Sequence, residues 1–373
     1  RCWLSVEPRN SWGEKPTLPY CLNPEFATSS LRRCTVVRSV LRNMKAAYIE
    51  QTGGPDNIRY GDLPEPTPTS GEVLVRVEAV SVNPIDTYVR GGMVPAELPM
   101  PFVVGSDLAG IVEEVGEGVT QWKAGDRVWG ANQGGHGRQG TSAELACVSE
   151  EWLHAIPEGV SGEDVASIAL VGITAHIGVV LRAKVRASET VFVNGGSGGV
   201  GSMVVQMCKA LGARVIATAG SDVRVNKAKE LGADDVINYK AEDVAAQVMA
   251  LAPDGVNVIW ETRRAADFEW ALPLLAKRGR MVVMAGREAC PVLPVGPFYV
   301  KDCSLHGFAM FNYTAEEQRQ CGKDINRWLA EGNLKANIDR VMPLSETAAA
   351  HRLQEENTIH LAGTLAGKIV LTP

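Results

Sequence analysis

The chain has 373 residues, 45% of them hydrophobic, and a formal charge of −6. That aliphatic content excludes a disordered scaffold, and the length is enough for more than one domain. The negative balance gives no basis for nucleic-acid wrapping, no apolar run is expected to reach the ~18–20 residues of a membrane helix, and the eight scattered cysteines read as core thiols of a reducing, cytoplasmic compartment.

Residues 1–43 stand apart. They carry seven Lys/Arg against three Asp/Glu, show no strand-like period, and are punctuated by Pro8, Pro16, Pro19 and Pro24. They are expected to be a disordered or non-native extension: an over-called gene start with translation from Met44, a targeting segment, or a tail. Lys45–Ile49 then reads as a strand, Gly53-Gly54-Pro55 as a turn, and Val73–Val80 as an alternating strand with Val73, Val75 and Val77 on one face. FVVGSDLAGIVEEVG (102–116) and GDRVWG (125–130) add short strands with glycine turns, so this part of the chain is expected to be β-rich.

Past residue 160 the pattern alternates. Strands are expected at 191–194, 214–218, 236–238, 256–260 and 280–284, separated by helices at 200–211, 223–231, 241–251 and 265–275. This is the signature of a parallel sheet covered on both faces. A strand at 305–309, helices at 315–330 and 346–354, and a last strand at 368–371 follow, the last one returning to the first domain.

Within VFVNGGSGGVGSMVVQ (191–206), Gly196-Ser197-Gly198-Gly199-Val200-Gly201 fits G-x-G-x-x-G between a strand and a helix. A side chain on that bend would hold a pyrophosphate away from the N–H groups at the helix start. Beyond the next strand, where an NAD site usually places an acid, stand Ala219, Ser221 and Arg224. This favours NADPH, with Asp222 as the competing influence. Ser197 lies in a segment that superficially resembles a hydrolase elbow, but its place in the bend reads as a phosphate donor. The six histidines are far apart in sequence and no four-cysteine lobe is present, which leaves open a metal site formed by three histidines converging in space.

Several motifs together resemble the zinc-free quinone oxidoreductases, the zeta-crystallin-like branch of the medium-chain dehydrogenase/reductase superfamily. They are VSVNPIDTYVRGG (80–92), GSDLAGIVEEVG (105–116), GDRVW (125–129), VNGGSGGVG (193–201), ELGADDVINY (230–239), LLAKRGRMVVMAG (274–286) and GTLAGKIVL (363–371). The resemblance implies an α/β protein with a Rossmann NADPH-binding domain (166–309) inserted in a β-rich GroES-like catalytic domain (44–165 and 310–373). It implies NADPH-dependent hydride transfer to a quinone or related electron-poor enone, in a homodimer or homotetramer. Asn83 and Gly105-Ser106-Asp107 stand where zinc-bearing relatives have a cysteine and Gly-His-Glu, so the resemblance implies that no metal is bound.

Carried over residue by residue, Asn83 and Tyr88 line the substrate end as donors to the acceptor, and Thr174 lies near the nicotinamide ribose. Ser197, Gly198, Gly199, Val200 and Gly201 surround the pyrophosphate. Ser221, Arg224 and Tyr239 surround the 2′-phosphate, while Gly286, Arg287, the backbone around Phe308, and Lys368 approach from later strands. Val94 replaces a tyrosine found in some quinone reductases, and Glu261 is either a structural ion-pair partner or catalytic. The alternatives are an enoyl-thioester reductase, which needs a basic route where only Arg90 lies within 88–100, and a crystallin-like or RNA-binding protein with marginal catalysis.

Overall fold

The computed structural model of the protein describes residues 42–95 and 97–373. The expectations about the head therefore lie, through residue 41, outside the described residues. The first strand begins at Asn43 and runs to Ile49, between Arg59–Pro64 and Phe102–Val103 in a small antiparallel sheet.

A seven-stranded sheet is built around Glu72–Val82, which pairs with Leu108–Val115, Leu145–Ser149 and Lys368–Thr372. Val73, Val75 and Val77 share one buried cluster, so the alternation fixes which face turns inward. The last strand, Lys368–Thr372, is antiparallel to Glu72–Val82 and parallel to Ile338–Pro343. The last strand thus lies inside the sheet built around Glu72–Val82, between that strand and Ile338–Pro343.

Six parallel strands form the second sheet. Their spatial order is Asp235–Asn238, Arg214–Ala219, Thr190–Asn194, Val256–Glu261, Leu275–Val283 and Ser304–Gly307. The order reverses between Thr190–Asn194 and Val256–Glu261. In doubly wound sheets such a switch point opens a crevice at the carboxyl ends of the strands. Phe192, Ile216 and Ile259, from adjacent strands, fill one side of this sheet against the helix Phe268–Leu274.

The expectation of no long apolar run is corrected by Gly162–Arg182, which is long and apolar enough by composition to cross a membrane. Ser167, Thr174 and His176 interrupt the run in sequence, yet all three are buried. The helix Gly162–His176 and its continuation through Arg182 are mostly buried, packing on Glu72–Val82, on the helix Gly199–Ala210 and on the helix Ala315–Ala330. The domain boundary expected at 165/166 falls inside this helix, which serves as shared core for both sheets.

Candidate active site

The glycine bend is built as its chemistry requires. The strand Thr190–Asn194 runs into Gly195, at φ +88°, and then into the helix Gly199–Ala210. A Cβ at Gly196 would lie 2.6 Å from the Cβ of Ala217, and one at Gly201 would collide with the Gly195 carbonyl. These two glycines are required by close packing. At Gly198, by contrast, a Cβ would meet only the Gly195 carbonyl oxygen, at 3.6 Å, and would project into the open cradle. No side chain caps this helix start. An uncapped N-terminus with a clear approach fits a dinucleotide pyrophosphate.

The bend is braced from both neighbouring strands. Thr218 Oγ1 donates to Asn194 Oδ1 at 2.9 Å and accepts from the Gly195 N–H, while Asn194 Nδ2 donates to Glu261 at 3.2 Å. Glu261 is 1% exposed and also accepts from Arg263, at 2.7 Å from Nη2. Its contacts with Asn194 and Arg263 are those of a structural ion-pair partner, one of the two roles expected for it.

A cleft of about 1090 Å³ opens at the switch point, and Arg224, Tyr239, Gly286 and Arg287 all line it. A narrower cavity of about 170 Å³ shares Gly195 and Thr262 with it and is lined by Gly198, Gly199, Val200, Gly201 and Lys368. Nine expected cofactor residues thus converge on two contiguous spaces. Ser197, Ser221, Thr174 and Phe308 line neither. Ser197 is buried and its carbonyl accepts from Asn337, Ser221 precedes the helix Asp222–Glu230, and Thr174 is one turn beyond the cavity-lining Val171. Phe308 stands edge-on to Trp260 and Tyr313.

Arg224 has partners that its position in sequence did not reveal. It donates to the carbonyls of Gly363 and Leu365, each at 2.6 Å, and so ties the nucleotide sheet to the loop before the last strand. Asp222, the competing acid, accepts from Asn238 at 3.2 Å.

Asn83 requires a correction. It is fully buried, and its amide nitrogen donates to Asp107 at 2.8 Å and to the Ser81 carbonyl at 3.3 Å. With both amide hydrogens used, it has none left for an acceptor oxygen. Its Oδ1 instead accepts from Lys368, which also donates to the Val82 carbonyl at 2.7 Å. Beside it, Asp86 accepts from the Asn83 N–H at 2.7 Å and from the Ser106 hydroxyl at 2.5 Å.

Two acids and one lysine are therefore sealed together. Burial pushes the Asp107 carboxyl up to about 7, against the pull of Lys368, and raises Asp86. Burial also lowers Lys368, opposed by Asp107 and Asp86. The roles of Asp86 and Asp107 were missed in sequence because three segments far apart in the chain bring them together. The available signal was an acid inside each of two otherwise apolar motifs, NPID and GSDLAG.

Tyr88 is half-buried on the helix Pro84–Arg90, and the Arg264 guanidinium lies 5.8 Å from its ring centre. Burial raises the phenol and Arg264 draws it back down. Arg90, the lone cation of the segment 88–100, is 1% exposed and paired with Glu355, turned into the core.

Two packed β-sheet units and a dinucleotide cradle between them define a medium-chain dehydrogenase/reductase. Residues 69–158 match the family model described as alcohol dehydrogenase GroES-like domain, and residues 199–326 match that of zinc-binding dehydrogenase. The quinone oxidoreductase of Rattus norvegicus is 33% identical over 332 residues, covering 88% of this chain and 97% of its own. A solved NAD-dependent alcohol dehydrogenase is 33% identical with a TM-score of 0.80, covering 88% of this chain and 100% of its own. A mycobacterial protein solved in complex with NADPH is 32% identical with a TM-score of 0.77, at the same coverage. The chain belongs to the quinone oxidoreductase family of the medium-chain dehydrogenases/reductases, and is an enzyme of that kind.

Proposed function

We propose that this enzyme transfers a hydride from NADPH to a quinone or related electron-poor enone, and does so without zinc. The observation that carries the zinc-free reading is the pair Asn83 and Ser106, at the positions where zinc-bearing relatives have a cysteine and a histidine. An amide and a hydroxyl stand there in place of thiolate and imidazole, and each is bonded to a buried carboxylate.

The preference for NADPH rests on Arg224 and Tyr239, which share the large cleft, and on Asp222 being engaged by Asn238. A guanidinium recognises a phosphate with charge-assisted hydrogen bonds that a ribose hydroxyl does not repay. Lys368, whose ammonium is held by Asn83 and Val82, lays its side-chain methylenes against the glycine bend and shapes the pyrophosphate end of the cradle.

The bound nicotinamide supplies the hydride. The chain contributes position and charge. The Tyr88 hydroxyl serves as hydrogen-bond donor to the acceptor oxygen as negative charge gathers there, and solvent replaces any proton it gives up. Asn83 acts one step back, as the residue that positions Lys368.

The assembly we assign is a homodimer, or a dimer of dimers, formed across the edge strand Ser304–Gly307. That strand has no partner on its outer side among the described residues. Leu305 is exposed on it, and Val295, Tyr299 and Val300 are exposed on the neighbouring helix Val295–Val300.

Steady-state assays with NADPH and NADH against ortho- and para-quinones, 2-alkenals and enoyl thioesters test the reading. Quinone or enone reduction that prefers NADPH is the expected result. Turnover with NADH alone, or with none of these acceptors, overturns it.

A further inference from the structure

Four arginines line the large cleft, and two of them are already engaged. Arg224 is tied through Nη2 to the carbonyls of Gly363 and Leu365, and its remaining donors are assigned to the cofactor's 2′-phosphate. Arg263 is neutralised by Glu261 and lies 5.2 Å from the ring centre of Trp270. Arg264 and Arg287 are exposed, and neither has a carboxylate within ion-pair distance among the described residues. Gly286, at φ +87°, packs so closely on the Arg264 carbonyl that a Cβ there would collide with it. This contact presses the two arginine-bearing loops together on the same wall.

We infer that Arg264 and Arg287 form an anion-binding subsite at the acceptor side of the cleft, which moves Arg287 from the cofactor role implied by the family resemblance to the acceptor, so that the physiological acceptor carries a carboxylate or phosphate besides its electron-poor double bond. The inference deepens the proposed function and rests on its placing the acceptor beside Tyr88. Three observations support it. The Tyr88 ring holds the Arg264 guanidinium by a cation–π contact, which leaves its donor edge free and reduces the ordering cost of binding. The cofactor's 2′-phosphate does not account for Arg264. Arg224 follows the strand Arg214–Ala219 and Arg264 follows Val256–Glu261, with Thr190–Asn194 between them, so their strands are two spacings, roughly 10 Å, apart. Among the acids on the cleft wall, Glu242 accepts from the Asn238 N–H and Asp243 caps the helix Val244–Leu251, which leaves Glu288 as the nearby counter-charge.

The basic route absent from residues 88–100 is thus supplied by loops 262–265 and 286–289. The chemistry it recognises is shared by a free carboxylate and by a phosphate such as a thioester carrier bears.

The test compares matched acceptors: a neutral enone or quinone, its carboxylate-bearing analogue and its phosphate-bearing analogue. Each is assayed with wild type, R264Q, R287Q and R264K, and NADPH dissociation constants are measured by nicotinamide fluorescence. Wild type should prefer at least one charged member over the neutral one in kcat/KM. R264Q and R287Q should lower that preference about 10- to 100-fold, mainly through KM, with R264K retaining part of it. The charged member that loses more identifies the anion. Equal loss on neutral and charged members, no charged preference in wild type, or a weakening of NADPH instead would each overturn the inference. If wild type turns over no member, it is the proposed function that fails. Calorimetry of the two charged probes with the NADP+-loaded protein then decides the subsite: tighter binding to wild type than to R264Q supports it, and equal binding overturns it.

Discussion

Asn83 gives its side-chain amide to Asp107 at 2.8 Å, inside a cluster that also seals away Asp86, Ser106 and Lys368. Asp107 holds its proton up to about 7, above its ordinary 3.8. The folded state therefore keeps a proton that the unfolded chain has lost. The stability linked to this group is fully present below about pH 4 and disappears as pH rises to about 7. D107N, neutral throughout, should gain on wild type as pH rises across that window and level off above it. Urea midpoints of both proteins from pH 4 to 8 check this. A constant difference would show that Asp107 does not titrate there.

The same cluster bears on metal. Purified, active enzyme should contain zinc well below one equivalent by elemental analysis, and chelation should leave its rate unchanged. Stoichiometric zinc whose removal abolishes turnover would contradict the reading of Asn83 and Ser106.

Arg224 should set cofactor preference. R224A is expected to weaken NADPH about 10- to 100-fold and leave NADH nearly untouched, as loss of charge-assisted hydrogen bonds predicts. Because Arg224 also ties down Gly363 and Leu365, R224A should speed amide exchange between residues 359 and 366 in the cofactor-free protein. Equal weakening of both cofactors would make the latch its only role.

Light scattering at low micromolar concentration should return a multiple of the 40.0 kDa chain mass. L305K, which places a charge on the unpaired edge, should shift the protein toward monomer without loss of secondary structure by circular dichroism. A wild type that runs as a monomer refutes the dimer.

What the sequence determined by itself was local. The strand, glycine bend and helix of 190–210 are contiguous, so their geometry is written in adjacent residues, and the alternating valines of 72–82 choose their buried face without outside help. Motifs spread along the chain were enough to indicate the family. Partners distant in sequence were decided by the tertiary structure alone. Lys368 meets Asn83 because the last strand pairs with Glu72–Val82, and Arg224 meets Leu365 because the loop before that strand crosses the cleft. The segment Gly162–Arg182, whose apolar length sequence reading understated, became the shared core helix because two sheets needed one apolar surface to pack on. The cations show the same division. Arg90, the one basic residue near the acceptor segment in sequence, is held in the core by its pairing with the half-buried Glu355, whereas Arg264 and Arg287 reach the cleft because parallel strands deliver their following loops to the same carboxyl edge.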